Sequence, residues 1–284
     1  LAPGFVDRIV FHIINNTDAA FIELTNGNLD YHHLRPLEFK EKSWSDDFNE
    51  RFLKGVSYGG GDMYVGWNNE HPIFGDKLVR QAMTYLTDRE GMVENIMLGL
   101  AETVEGPINK FRPEYNHDLE PYTYDPDRAI ELLDQAGWDD ADGDGILDKT
   151  IDGALVPFRF EILVNSGNQI RKDIALTIQY ELQDIGIDCQ VRELDWSIFL
   201  QKVRSKEFDA IVLGWTGSLR FAPDSYQIWH SSQAANNGSN HVSFINSEVD
   251  QILEEYRREF DMDKRIALYR RFQEILHQEQ PYTF

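Results

Sequence analysis

Phe208-Asp-Ala-Ile-Val-Leu-Gly-Trp-Thr-Gly-Ser218 is a short apolar run that stops at a Gly-Trp pair, and it reads as a buried central strand. Working backward, Asp195 caps a short helix carrying Trp196, Phe199, Leu200 and Val203, and Ile187–Leu194 is a strand before it. Asn168–Ile185 places Ile170, Ile174, Ile178 and Leu182 four residues apart on one helical face, Gly186 stops it, and Phe158–Val164 alternates as a strand. Two consecutive strand–helix–strand crossovers predict three parallel strands whose carboxyl ends face one way, so the fold class is α/β. Ligands in such sheets sit beyond those ends. Trp215 therefore stands on the ligand side, either as a flat apolar platform or as a core residue between strand and loop.

Toward the N-terminus, Ile9–Ile14 reads as a strand, residues 17–27 as a helix ending at Gly27, and Asn28–Tyr31 as a second strand, a small βαβ unit. Trp44, Phe48 and Phe52 suggest one short amphipathic helix in an otherwise loop-rich region. Gly59-Gly60-Gly61 precedes the strand Met63–Asn68 and could mark either an interdomain crossing or a surface loop. Helices are predicted over Lys77–Leu86, after Asp88, and from Asp125, where Pro126 sits in the first turn and Gly137 closes. Gly106–Pro121 reads as irregular chain. Two further helices start near Ser247 and Asp263.

The 284 residues can form one large or two modest domains. Lys plus Arg is 27 against 49 for Asp plus Glu, a formal charge of −22, which repels phosphate backbones and anionic lipid, so nucleic acid is not an expected partner. No window approaches the ~18 apolar residues of a membrane span. The start at Leu1 without a charged-then-apolar leader, and the strand-like run at Gln280–Phe284, read as a chain cut at both ends, any signal peptide lying outside it. Cys189 is the single cysteine and is expected to be buried and inert.

The sharpest local motif is Asp140-Ala-Asp-Gly-Asp-Gly-Ile-Leu-Asp148. Carboxylates at alternate positions with glycines between them let a tight turn aim hard oxygens at one point, as a Ca²⁺ loop does. Asp140, Asp142 and Asp144 would ligate by side chain, Ile146 by its carbonyl, and Asp148 directly or through water. Ile151 stands where an EF-hand has its bidentate Glu, so any ion would be structural, and a metal-free turn is the alternative. No other cofactor is required. Nucleophile-elbow, phosphate-loop and His-Glu-x-x-His motifs are absent, which makes an enzyme the least favoured class. Aromatic and amide residues instead gather where a ligand would be held: Tyr64, Trp67 and Asn68, Trp196, Trp215 and Tyr226. A cleft of that kind suits a peptide or sugar-sized ligand, the alternative being a set of core aromatics.

Val65-Gly-Trp-Asn68 with Pro72–Ala82 and Thr87–Glu90 resembles the oligopeptide/dipeptide-binding proteins of ABC transporters, the family 5 extracellular solute-binding proteins. So do Ala129–Trp138 with its Asp-Gly-Asp-Gly turn, Phe208–Trp215, and Arg271–Leu276 with Gln280-Pro281. The resemblance implies a periplasmic-binding-protein-like (type II) fold, with residues 1–63 the end of a first lobe, 64–68 a hinge strand, 69–280 the second lobe, and 281–284 the start of a return crossing. It implies that Gly214, Trp215 and Thr216 bond a peptide main chain and that Trp196 lines a side-chain pocket. Ser218 stands where peptide-binding members have the Asp that holds the peptide amino terminus, so Asp224 is the candidate substitute. The expected protein is a monomeric extracytoplasmic receptor, periplasmic or lipid-anchored, delivering peptides to an ABC permease. A receptor for a sugar or nickel chelate, or a Ca²⁺-dependent interaction module, are the alternatives.

Overall fold

The computed structural model describes residues 6–14, 16–59, 61–217, 223–235 and 238–284. They fall into two compact units, Leu1–Gly55 and Val56–Phe284. The first holds helix α1 (Thr17–Thr25), a π-helical turn Glu38–Lys42, and α2 (Asp46–Arg51). Asn16 and Ser45 cap the two α-helices by accepting bonds from Ala19 and Phe48 backbone N–H groups. Ala20, Leu24 and Phe48 form its small core. The expected βαβ unit is absent among the described residues. Ile9–Ile14 makes no ladder and leaves Phe11 and Ile13 exposed, while the Asn28 amide turns back to bond Glu23. Alternating apolar residues become a strand only with a partner, and none of the described residues of this unit supplies one.

The second unit contains β1 (Asp62–Trp67), α3 (Lys77–Tyr85), α4 (Arg89–Asn95), α5 (Pro126–Gln135), β2 (Asp148–Ile151), β3 (Ala154–Pro157), β4 (Arg159–Asn165) and α6 (Gln169–Gln183). Then follow β5 (Asp188–Leu194), α7 (Trp196–Ser205), β6 (Ala210–Trp215), α8 (Tyr226–Trp229), α9 (Ser247–Arg258), α10 (Met262–Glu279) and β7 (Tyr282–Thr283). Two of the caps read from sequence act as expected, Asp88 and Asp125 each accepting a bond from a first-turn N–H, and Asn168 does the same for α6; Asp195 holds the cap position of α7 but its side chain makes no capping bond. Asn246 rather than Ser247 caps α9.

The main sheet has the order β5-β4-β6-β1-β7. β4 is parallel to both β5 and β6, giving the three parallel strands, while β1 runs antiparallel to β6 and β7 antiparallel to β1. Both faces are covered, so the middle of each central strand is apolar and its side chains divide by alternation, with the polar Asp62, Arg159 and Asn165 at the strand ends. Val65, Trp67, Ile162, Val164, Ala210 and Val212 join one core with residues of α3, α5 and α6. Tyr64, Leu163, Ile211 and Leu213 join the other with residues of α7, α9 and α10. Cys189 is buried, and burial pushes its thiol up to about 12, so it is inert at neutral pH. The small hairpin β2–β3 stands apart from this sheet.

Candidate functional site

The carboxyl ends of β4, β5 and β6 share one edge of the sheet, and because β1 is antiparallel it begins there: Asp62 lies opposite Trp215. A cavity of about 590 Å³ opens at this edge, lined by the start of β1, the end of β6, residues of α4 and α6, and the connection 97–111. Its volume suits a small peptide or a similarly sized solute. Gly214, Trp215 and Thr216 line it together with Tyr64. Trp215 is only half-buried; its ring stacks on His241 at 5.6 Å and its indole N–H donates to the Tyr282 hydroxyl at 3.4 Å. Tyr64 stacks on Tyr282 with ring centroids 3.7 Å apart. A rigid aromatic floor results, held by residues from β1, β6 and β7.

Five charged groups in the lining, Asp62, Arg89, Glu102, Lys110 and Arg171, were not among the residues expected from sequence, and two of them, Asp62 and Arg171, stand apart from the rest. Asp62 carries a buried carboxylate oxygen with no hydrogen-bond partner among the described residues. Burial pushes its carboxyl up to about 7, with its own backbone N–H pulling weakly the other way. Arg171, on the first turn of α6, donates from Nη1 to the Asn165 side chain at 2.6 Å, but its Nε is buried and unpartnered. Burial lowers its pKa, and the nearby Tyr64 phenol opposes that shift. Neither Asp62 nor Arg171 joins an ion pair among the described residues. The cavity wall is fixed independently: Arg89 donates to the carbonyls of Val104 at 3.0 Å and Tyr122, and pairs with Glu105 at 2.9 Å. Tyr58 and Lys110 both bond Glu102.

Other expected residues lie elsewhere. Trp67 and Asn68 sit at the opposite end of β1, where Trp67 faces Ala210 in register. Trp67 is fully buried with its indole N–H on Thr283, and the Asn68 amide donates to the Phe208 carbonyl at 2.8 Å. The strand rises about 3.3 Å per residue, so Trp67 is about 10 Å from Tyr64 along β1, and both residues are outside the cavity lining. Trp196 is 49% exposed at the start of α7, near the same sheet edge, stacked on Phe199 at 5.8 Å and not lining the cavity. Asp224 is engaged by Arg257 through three contacts of 2.7–3.2 Å. Burial raises its pKa, but those bonds outweigh it and hold the carboxylate below its usual range. The Tyr226 ring lies under the same guanidinium at 3.8 Å. Ser218 lies outside the described residues.

In the acidic loop, Asp140, Asp142, Asp144 and Asp148 each bring one carboxylate oxygen to a common point, all within 4.8 Å of one another. The first three also fold the turn, accepting bonds from the N–H groups of Gly143, Asp144 and Ile146. Gly143 and Gly145 adopt φ of +78° and +87°, which the turn requires. The Ile146 N–H is thus occupied within the loop.

A sheet covered on both faces, with an aromatic-floored cavity at the carboxyl ends of its parallel strands, defines a lobe of the type II periplasmic-binding-protein fold. The family description "Bacterial extracellular solute-binding proteins, family 5 Middle" matches residues 3–237, and the chain belongs to that family. It is 32% identical over 284 residues to the oligopeptide-binding protein AppA of Bacillus subtilis (strain 168), covering 99% of this chain and 50% of that protein. It is 23% identical over 279 residues to the dipeptide-binding protein of Escherichia coli (strain K12), covering 97% and 49%. The solved structure of B. subtilis AppA in complex with a nonapeptide superposes with a TM-score of 0.85 at 33% identity, covering 96% of this chain and 53% of that one. The chain thus spans about half the length of these relatives. No helix of the described residues is long and apolar enough to cross a membrane.

Proposed function

We propose that the protein is the extracytoplasmic receptor of an ABC importer, periplasmic or lipid-anchored, and that it binds peptides with both termini free. The cavity at the β1–β6 edge would receive the ligand, Asp62 its ammonium group and Arg171 its carboxylate. One observation carries this reading: a buried carboxylate and a guanidinium with a buried, unpartnered Nε line the same cavity without pairing with each other. Buried charges are ordinarily paired, and an opposite charge arriving with the ligand would supply what each lacks. Trp215, Tyr64 and the main chain of Gly214–Thr216 would hold the ligand's body. The work is conformational: a ligand held between two lobes of the full protein favours the closed state only by its differential affinity for it.

Calorimetry with a panel of short peptides tests the assignment. Asp62→Asn is expected to weaken free-amine peptides about 30-fold or more and N-acetylated ones less than about threefold; Arg171→Met should discriminate in the same way between free and amidated carboxyl ends. Equal losses for blocked and unblocked peptides would remove Asp62 and Arg171 from recognition, and binding of no peptide at all would sink the peptide receptor itself.

A further inference from the structure

We propose that the Asp140–Asp148 loop is a structural Ca²⁺ site that clips α5 to the β2–β3 hairpin. The loop is closed at its base by a two-residue bridge: the Asp139 N–H donates to the Asp148 carbonyl at 3.0 Å and the Asp148 N–H to the Asp139 carbonyl at 2.6 Å. Below the bridge the chain is anchored to the lobe, since the Leu147 N–H donates to the Gly186 carbonyl at 2.8 Å and Phe158 to the Leu147 carbonyl at 2.7 Å. Gly186 is packed so closely that a Cβ there would meet the Gly145 carbonyl at 2.9 Å. The carboxylates are therefore gathered on a frame that does not depend on an ion.

An exposed acidic turn alone would mean little, and Asp148 makes the difference. Asp140, Asp142 and Asp144 are exposed and could splay into solvent, but Asp148 is only 5% exposed, and its Oδ2 is buried with no hydrogen-bond partner among the described residues. It sits against the other three, its carboxylate within 4.8 Å of theirs. A carboxylate that has lost water and gained three like-charged neighbours lacks a cation. Among the described residues Arg159 is the cation in ion-pair reach of the four, 3.6 Å from Asp144 and shared with Asp188 at 3.3 Å. It stands at the rim and brings one positive charge to four carboxylates. Oxygen donors without nitrogen or sulfur, irregularly arranged on a glycine turn, suit Ca²⁺ better than Mg²⁺, which demands a near-ideal octahedron.

Terbium titration of the full chain tests this, because Trp138, buried two residues before Asp140, is placed to sensitise a lanthanide in the loop. One Tb³⁺ per chain is expected, displaced by Ca²⁺ at least tenfold more effectively than by Mg²⁺. Saturating Ca²⁺, about a hundred times Kd, should raise Tm by about 5–10 °C. Asp142→Asn keeps the acceptor to the Asp144 N–H, so the turn survives, yet it should weaken Tb³⁺ and Ca²⁺ at least tenfold; Asp148→Asn should do the same. The proposal is overturned if the unmodified chain gives no sensitised emission, if both variants bind as it does, or if Mg²⁺ competes equally.

Discussion

Asp62→Asn should make the ligand-free protein more stable at neutral and alkaline pH while impairing binding. Burial carries this carboxyl from 3.8 to about 7. Each tenfold change in proton affinity is worth about 1.4 kcal/mol, so the ionised side chain costs the folded state about 4–5 kcal/mol above pH 7. The sign follows from which state holds the proton more tightly. Below pH 3.8 the group is protonated in both states and costs nothing; between 3.8 and about 7 the folded state keeps a proton that the unfolded state has lost, so stability falls as pH rises; above 7 the loss is complete and constant. Asparagine has nearly the same shape and no charge, so the variant escapes this loss. Urea unfolding of both proteins across pH 4–9 isolates the effect, because the chain's other carboxylates cancel in the difference. The variant's advantage should grow from near zero at pH 4 to a plateau of about 4–5 kcal/mol above pH 7. A difference that is flat with pH, or a variant less stable at pH 8, would refute the claim that Asp62 lies ionised, buried and unpaired. A saturating free-amine peptide should shrink the plateau, since the ligand would offset the same deficit.

Three further outcomes follow from the packing. Arg80 is 3% exposed and donates to the carbonyls of Phe74, Gly75 and Glu279 at 2.8–3.0 Å, so Arg80→Met should cost about 3–5 kcal/mol in chemical denaturation. A Cβ at Gly214 would meet the Asp62 carbonyl at 2.7 Å; Gly214→Ala should therefore cost about 1–3 kcal/mol and reduce peptide affinity by shifting Asp62, both readable from melting with and without peptide. Asp224→Ala should leave peptide affinity within about threefold by calorimetry and cost at most about 1 kcal/mol, since its carboxylate is already committed to a solvent-exposed pair with Arg257.

The β4-α6-β5-α7-β6 succession is legible because each of its signals is local: Gly186 ends α6, and Ala210–Leu213, bounded by Gly214, is a short apolar run of strand length. Trp215 on the carboxyl edge followed from topology alone. The antiparallel course of β1 was not legible, since parallel and antiparallel buried strands read alike, and with it went the distribution of Tyr64, Trp67 and Asn68 between opposite ends of the sheet. Asp62 carries no sequence signal, since a lone acid before an aromatic strand has no signature; only its register against Trp215 brings it to the cavity. Arg171 reads as an ordinary helix-surface cation. Ile9–Ile14 shows the converse failure, a good strand pattern that goes unused for want of a neighbour.

The innermost antiparallel strand has a kinetic consequence. β1 lies between β6 and β7, and Trp67 hydrogen-bonds Thr283 across 216 positions of chain. A nascent chain emerging from the ribosome can assemble β4, β5 and β6 early, but one flank of β1 stays open until Tyr282 and Thr283 have been synthesised. Such late closure of a long loop makes for slow folding. During translation, the polypeptide should consequently remain protease-sensitive around residues 62–67 until Tyr282 and Thr283 clear the exit tunnel, and truncation before Tyr282 should leave that sensitivity in place permanently.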